Sequence, residues 1–491
     1  MDPAILTPRD AMMTALSQFD PAEAWRPADD GAWNLRRAAH LYRRAAFGAP
    51  ALRADGARTS WDALQDAVRR GRDACIEDLL AGLPAQDELD HLVDAVGESL
   101  SRAAPSAFSQ RLPVEKLQGW WLYRMIHSRH PLRERMTLFW HNHFATSVAK
   151  VRKLPLMFAQ NKLLRSHALG KFPDLLREIS RDPAMMIWLD SNSNVKGGPN
   201  ENFARELLEL FTLGAGNYSE QDVREAARAF TGWGTEGGQF VFRAELHDGG
   251  PKTILGQTGD WDGDDVLRIA LEQPAAARWL ARKLFRQFVS EDELPRDGFA
   301  GGLDEATLIE PLADALRSSG YDIAAAVEMI LRSRLFVSEE AWRARIKSPV
   351  EYVVGLVRSF DARPPIEQLA SAMDGLGQAL FEPPNVKGWD GGILWLNSAT
   401  LLARHNLAAA LLSGTDERFA GAVDVGELVR ERAGDDADLQ VRFLLDLLLQ
   451  GDVREPDRAR LLDFARGQSF SDPRIAEVVH QIVMMPEYQL A

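Results

Sequence analysis

The chain reads PLRERMTLFWHNHF from Pro131 to Phe144. Proline is favoured at the first position of a helix, because its missing N–H would have no partner there. Apolar and aromatic side chains, with one histidine, then recur at helical spacing on one face: Leu132, Met136, Phe139, Trp140 and His143. The stretch therefore predicts a helix that begins at Pro131 and buries this face. Similar periodicity through most of the chain predicts a mainly α fold.

One segment departs from the helical pattern. Residues 237–243 alternate like a strand, residues 247–251 have the composition of a turn, and residues 252–256 resemble a short second strand. We therefore expect a large multi-helix globular body with a small β-hairpin inserted near residues 237–256.

The length predicts more than one core unit. The chain has 491 residues, whereas a typical domain holds about 100–200. We divide it into an N-terminal extension over residues 1–34, which can be flexible, and a main helical domain over residues 35–412. A C-terminal helical segment over residues 413–491 is expected to pack on the main body or to be linked to it.

The composition excludes several classes of protein. The formal net charge of −14 argues against broad electrostatic binding to nucleic acid or to an anionic membrane surface. A single cysteine, Cys75, allows no intramolecular disulfide and no CxxC pair. No apolar run approaches the ~20 residues that span a bilayer, and no signal-peptide pattern is seen. We expect no nucleic-acid partner, no membrane span and, by default, a cytoplasmic location.

Familiar cofactor motifs fail in this sequence. Residues 232–237 match GxGxxG but follow a helix and include a bulky tryptophan, so they make a poor dinucleotide signature. Asp260, Asp262 and Asp264 open like a calcium loop, yet Asp265 stands where that loop requires glycine. Walker A, HExxH and GxSxG sequences are absent. We find no nucleotide or flavin signature, while a divalent metal held by other residues stays open.

The first candidate site is the histidine pair in the quoted stretch. Residues two apart on a helix are separated by about 200°, so His141 and His143 could share a metal only if the helix ended at Trp140. If the helix continues, we expect His143 to be buried against Trp140, and His141 to be the one that reaches an open polar cleft. The alternative is a structural pair, in which His143 orders the core and His141 lies at the surface.

The second candidate is a polar face on a predicted helix that Asn200 caps and Gly214 ends. Asn202, Glu206 and Glu209 share this face, opposite a row of leucine and phenylalanine residues. They form either a carboxylate-rich wall of a cleft or a solvated surface with salt bridges. The sequence leaves both interpretations open.

Two loops complete the candidates. His247 and Asp248 stand beside glycines that let a backbone approach closely, so they could bind a metal or a polar ligand. The same residues also suit a turn for conformational reasons alone. Asn385, Lys387 and Trp389 lie in a loop rich in proline and glycine, which is either a binding loop or a structural loop pinned by its tryptophan.

These stretches resemble the signature motifs of the bacterial family called domain of unknown function 1800. The similar segments are residues 40–48, 131–144, 199–214, 226–233, 247–248, 347–352, 383–389 and 486–490. The resemblance runs from about residue 35 onward and implies no activity, cofactor or catalytic residue. Members of the family often accompany another uncharacterised family that resembles alkaline-phosphatase-type proteins, which implies a candidate partner protein.

Two hypotheses about function follow. In the first, the chain is an enzyme, or binds a small ligand or metal, in a polar cleft that gathers the four segments. Its assigned roles are catalysis by His141, His143, Glu206 and Asn202, metal binding by His247, Asp248 and His141, and cofactor binding by Asn385, Lys387 and Trp389. In the second, the chain is a non-catalytic scaffold or accessory protein whose polar motifs form a structural hydrogen-bond network.

Overall fold

The computed structural model describes residues 21–29, 33–48, 59–81, 88–102, 112–291, 305–414, 416–466 and 472–491. Helices dominate these residues, and the named strands are confined to one insertion, so the predicted mainly α fold is confirmed. In the same ranges, no helix is both long and apolar enough to cross a bilayer.

The helices of the described residues are numbered in chain order. The first are α1 (Pro21–Ala24), α2 (Leu35–Ala46), α3 (Ser60–Arg70), α4 (Arg72–Leu80), α5 (Glu88–Ser101), α6 (Leu112–His127), α7 (Pro131–His143), α8 (Val148–Val151), α9 (Leu154–Ser166), α10 (Phe172–Ser180) and α11 (Pro183–Trp188). The next are α12 (Asn202–Glu206), α13 (Glu220–Ala229), α14 (Gly263–Glu272), α15 (Pro274–Phe288), α16 (Glu305–Ser318) and α17 (Ile323–Arg332). The last are α18 (Pro349–Ser359), α19 (Ile366–Gly375), α20 (Ser398–Leu412), α21 (Val425–Ala433), α22 (Ala437–Leu449), α23 (Glu455–Arg466), α24 (Asp472–Met484) and α25 (Pro486–Gln489).

Local hydrogen bonds fix many of the helix starts. Capping boxes are present at the N-termini of α3, α13, α14, α18 and α20. In a capping box, the N-cap side chain accepts from the backbone N–H three residues later, and the side chain of that later residue accepts from the N-cap backbone N–H. Pro131 lies in the first turn of α7, as the sequence predicts. Helix α7 then continues without interruption to His143, so it does not end at Trp140.

The β insertion contains two hairpins rather than one. Strand β1 (Trp233–Glu236) pairs antiparallel with β2 (Gln239–Phe242), and β3 (Lys252–Ile254) pairs antiparallel with β4 (Gln257–Gly259). Strands β2 and β3, which the sequence pairs with each other, therefore belong to separate sheets. The predicted turn at residues 247–251 connects the two hairpins instead of closing one.

Backbone conformation explains this difference. Two-residue hairpin loops of the most favourable type need positive φ at both central residues. Gly237 and Gly238 have φ of 58° and 81°, and Leu255 and Gly256 have φ of 47° and 83°. These two pairs close the observed hairpins. The longer segment at residues 247–251 has no such pair and is free to make side-chain contacts.

Helix α7 lies between two hydrophobic cores. Leu132, Met136 and Trp140 belong to the first core, which also contains much of α10 and α15. Leu138, on another face of α7, belongs to the second core. A helix that packs on both sides has little surface left for solvent, and the polar residues of α7 must therefore find partners inside the protein.

The second core continues across the predicted boundary at residue 412. Leu411 precedes this position and Leu444 follows it, and both belong to the same buried cluster. Arg404 NH1 also donates to Gln489 Oε1 at 2.8 Å. The boundary at residue 34 stays a prediction, because residues 1–20 and 30–32 of the extension lie outside the described ranges. The boundary at residue 412 stays a prediction as well.

Candidate functional site

Both histidines of α7 are buried. His143 is 4% exposed, and its ring lies 5.5 Å from that of Trp140, so the predicted burial against Trp140 is confirmed. His141 is only 1% exposed, so the expectation that it reaches an open polar cleft is wrong. The polar face of α7 packs against other helices instead of facing solvent, because Glu134 and Thr137 on that face are buried as well.

His141 lies among aromatic rings at the second core. Its ring centroid is 5.2 Å from that of Trp121, 5.7 Å from Phe381 and 5.8 Å from Trp389. The backbone N–H of Phe381 donates to His141 Nε2 at 3.3 Å. Burial lowers the pKa of His141 to about 3, so the imidazole is neutral near neutral pH and Nε2 is its acceptor.

His143 faces the other core. Its Nε2 donates to the backbone oxygen of Phe211 at 3.1 Å, and the ring of Phe144 lies 4.4 Å away. Burial lowers the pKa of His143 well below its ordinary value. The aromatic neighbours of the two histidines do not overlap, as a continuous helix requires. The pair therefore does not form one HxH metal site.

Asn142, between the two histidines, contacts the loop that contains Trp389. Its Oδ1 accepts from the backbone N–H of Trp389 at 2.7 Å, and its Nδ2 donates to the carbonyl of Trp389 at 3.2 Å. Gly388 has a φ of 84°, and a Cβ at this position would lie 2.2 Å from Asn142 Oδ1. Only glycine fits this approach. We call these two hydrogen bonds the Asn142 clamp.

The structure thus brings His141 and Trp389 together, whereas Asn385 and Lys387 are turned to local contacts. Asn385 Oδ1 accepts from the backbone N–H of Lys387 at 2.9 Å. Lys387 Nζ lies 3.3 Å from Asp390 Oδ1, and both side chains are exposed. These bonds shape the loop itself. The sequence-based prediction did not include Asn142 or Gly388 among the site residues. The position of Asn142 between two histidines in an aromatic-rich stretch was a usable signal.

The carboxylate face of the second candidate is only partly helical. After the short α12, residues Leu207–Thr212 form a π turn. Asn200 Oδ1 accepts from the backbone N–H of Asn202 at 3.0 Å, but the N-cap of α12 is Glu201, which makes no side-chain cap, so the predicted cap at Asn200 is wrong by one residue. Burial, together with the charge of Glu209, raises the pKa of the half-buried Glu206. Glu209 itself accepts from Tyr218 Oη at 2.7 Å.

Two backbone carbonyls of the π turn accept hydrogen bonds from side chains of other helices. Trp279 Nε1 donates to the carbonyl of Leu210 at 2.9 Å, and Lys283 Nζ donates to the same oxygen at 3.4 Å. The next carbonyl, that of Phe211, binds His143. Burial lowers the pKa of Lys283 to about 7. Such turns are frequent at functional sites, and here the turn links the Glu206 segment to α7 and α15.

His247 and Asp248 are held by the helix that precedes the β insertion. Arg228 Nε donates to Asp248 Oδ2 at 2.8 Å, and this guanidinium lowers the pKa of Asp248 to about 2. Thr231 contributes its carbonyl, 2.9 Å from His247 Nδ1. Within the described ranges, no group of three or more histidine, cysteine, aspartate or glutamate residues could hold a metal ion.

Sequence comparison places the chain in a family. A family model described as "Protein of unknown function (DUF1800)" matches residues 40–490. The chain belongs to this family. No curated protein and no solved structure matches the chain. The description of DUF1800 contains no activity, so the arrangement of side chains is the basis for any proposal about this DUF1800 protein.

The DUF1800 structure connects three of the four predicted segments through contacts of α7. The α7 histidines contact two of the other three: His141 packs on the Trp389 loop, and His143 binds the π turn that follows Glu206. Neither histidine has a described hydrogen bond, ion pair or ring contact with the 247–248 segment, whose partners are Arg228 and Thr231. The catalytic, metal and cofactor roles assigned to these residues stay predictions.

Proposed function

We propose that this DUF1800 protein is a non-catalytic accessory protein that binds a partner protein. The observation that carries the proposal is a group of exposed apolar side chains just beyond the Trp389 loop. Ile393 is 71% exposed, Leu394 63%, Leu402 59% and Leu401 37%. We call these four residues the apolar platform. Neighbouring exposed apolar side chains of this size are typical of protein–protein contact sites.

Hydrogen bonds hold the segments that carry the platform. Trp389 is held by the Asn142 clamp, and Trp395, between the two halves of the platform, is buried. Thr400 Oγ1 donates to the carbonyl of Trp395 at 3.0 Å, which ties the 392–395 turn to the start of α20. Asn397 caps α20 through its side chain. A preformed surface loses little conformational entropy when it binds, and this favours a docking role.

The contacts of the candidate catalytic residues favour the same proposal. A general base works best when its pKa is near the operating pH. The pKa of His141 is about 3, far below that range, and His143 is committed to the carbonyl of Phe211. Asp248, a candidate metal ligand, is committed to Arg228. Each of these side chains has a contact partner within the protein, which favours a structural role.

The partner we propose is an alkaline-phosphatase-like protein from the same organism. This choice rests on the family resemblance, which implies such a companion. The test is direct binding between the two purified proteins, measured by isothermal titration calorimetry. Ile393→Asp combined with Leu402→Asp should weaken binding by at least about tenfold, because a carboxylate in an apolar contact is desolvated without compensation.

The control variant is Leu439→Asp. Leu439 is also an exposed leucine, 50% exposed, but it lies at the start of α22 outside the platform. It should bind like the unaltered chain. Equal weakening by both variants, or no binding by the unaltered chain, would contradict the proposal. Asn142→Ala, which opens the clamp and leaves the platform residues unchanged, should weaken binding by a smaller factor if the support is needed.

A further inference from the structure

A small cavity with both apolar and charged lining residues lies where α2 and α18 meet the C-terminal helices. Its volume is about 40 Å³, and its polar lining includes Arg43, Lys347, Glu351, Ser359, Gln450 and Tyr488. A cavity needs about 10–15 Å³ of such volume for each water molecule. The space therefore accommodates a few water molecules or one small ion. None of the segments predicted from the sequence as a site supplies this group of residues.

Lys347 is the most unusual residue of this lining. Its side chain is 7% exposed, and Nζ lies 3.6 Å from the centroid of the Tyr488 ring. No hydrogen-bond acceptor contacts Nζ within the part of the chain that the structure describes. A buried ammonium group without an acceptor is costly unless a counter-charge compensates it. The ring of Tyr488 compensates only part of this cost.

Arg43 lines the same cavity and has donors that no described residue uses. One of its NH groups donates to Gln450 Oε1. Its Nε and NH2 are shielded from solvent and have no hydrogen-bond partner among the described residues. The guanidinium stacks 4.6 Å from the ring centroid of Trp342, which fixes its plane. A guanidinium fork with free donors is a typical recognition element for oxyanions.

The carboxylate that lines the cavity is already used. Glu351 accepts from Arg345 NH1 at 3.0 Å and from Arg135, and both guanidinium groups are buried with it. Arg343, close to Arg43, is paired with Asp452 at 3.2 Å. The charge of Arg43, together with that of Lys347 whenever it is protonated, therefore lacks a free carboxylate among the lining residues.

We propose that this cavity binds a small inorganic oxyanion of the size of phosphate. The ammonium of Lys347 and the guanidinium of Arg43, which both line the cavity, would bind the oxyanion, and Tyr488 is a further polar residue of the lining. The site is separate from the apolar platform, so it stands or falls independently of the proposed function. The anion supplies the negative charge that Glu351 cannot provide.

The protonation of Lys347 responds to everything packed around it. Burial lowers its pKa well below the ordinary value, and the positive charges of Arg43, Arg343 and Arg404 lower it further, whereas Glu351 raises it. Burial also lowers the pKa of Arg43 to about 9. A bound anion would raise both pKa values. Binding should therefore take up protons, and the apparent affinity should fall as the pH rises.

The experiment measures inorganic phosphate binding to the full chain. Isothermal titration calorimetry and thermal unfolding are run with sodium phosphate and, at equal ionic strength, with sodium chloride. We expect saturable binding of phosphate, a rise in Tm that chloride does not reproduce, and a binding heat that depends on the ionisation enthalpy of the buffer. Sulfate should compete, because the site recognises an oxyanion by charge and shape.

Three variants make the test specific. Lys347→Met and Arg43→Met should each weaken phosphate binding by at least about tenfold, the loss of roughly one charge-assisted hydrogen bond. The matched control is Arg36→Met, since Arg36 lies on the same helix and over the same Trp342 ring but does not line the cavity. It should bind phosphate like the unaltered chain.

Several results would overturn the proposal. The first is a rise in Tm with chloride as large as that with phosphate. The second is the absence of phosphate binding up to about 10 mM, which corresponds to a binding free energy of roughly 3 kcal/mol. The third is a loss of phosphate affinity in Arg36→Met equal to that in the two cavity variants. If Lys347→Met fails to fold, Lys347→Arg keeps the charge and should retain binding within a small factor. Phosphorus NMR line broadening on the unaltered chain provides a measurement that needs no variant.

Discussion

The protein contains two buried groups of charged residues that differ in their balance. In the first, the carboxylate of Glu134 accepts four hydrogen bonds, from Arg124, from Trp121 and twice from Arg165. In the second, around the Arg43 and Lys347 cavity, the lining carboxylate is committed to other guanidinium groups. We call the first the Glu134 cluster. Both contain a buried glutamate and arginine side chains, whereas Arg43 is only partly buried.

The difference teaches how to separate structural charges from those that await a ligand. In the Glu134 cluster the carboxylate is surrounded by donors, and Arg124 has a further partner in Asp94 at 2.8 Å. Its charges are balanced, although Arg165 Nη1 is buried without a hydrogen-bond partner among the described residues. Removing one charged member leaves the others buried without compensation. The cavity group has no free carboxylate to balance its positive charges. Replacing one of its charged residues should therefore change the free energy of unfolding little as long as no anion is bound.

The largest expected effect is that of Glu134→Gln. This variant leaves Arg165 and Arg124 buried beside a neutral amide, so the free energy of unfolding should fall by about 3–5 kcal/mol. Urea denaturation followed by circular dichroism measures the loss. The control is Glu339→Gln, because Glu339 pairs with Arg36 at the surface with 76% of its side chain exposed. Its effect should stay within about 0.5 kcal/mol, and a similar loss in both variants would remove the contrast.

Acid should act on the Glu134 cluster with a smaller effect. The arginines hold the pKa of Glu134 at about 2, against an ordinary value of 4.5. A lowered carboxyl pKa stabilises the fold above the ordinary value, and this contribution is lost as the pH falls through 4.5 toward 2. The full contribution is about 3 kcal/mol. The stability difference between the unaltered chain and Glu134→Gln should therefore shrink between about pH 5 and about pH 3, and a constant difference would argue against it.

The smallest expected effect is that of Lys347→Met in phosphate-free buffer. Methionine keeps the length of the side chain and removes an ammonium group that lacks an acceptor. The free energy of unfolding should change by less than about 1 kcal/mol, or rise. Urea denaturation again measures it. A loss as large as that of Glu134→Gln would mean that Lys347 is already compensated within the protein, and the two groups would then not differ.

Local sequence was sufficient for the elements whose causes are local. Pro131 predicted the start of α7, and the separation of the two histidines followed from helical geometry. The helical periodicity also predicted the mainly α class, and the alternation at residues 237–243 indicated where the β insertion lies. The pairing of strands was not predicted correctly, because the glycine pair at residues 237–238 was assigned to a strand rather than to a turn.

The sequence by itself determined the helical class, the family motifs and the faces that residues of a helix share, since these depend on neighbours three or four positions away. Tertiary structure alone decided which of those faces are covered. His141 is buried because a loop 240 residues away packs on it, and the Asn142 clamp joins residues 247 apart. A helical pattern separates polar from apolar faces, but burial and charge balance depend on partners brought from distant parts of the chain.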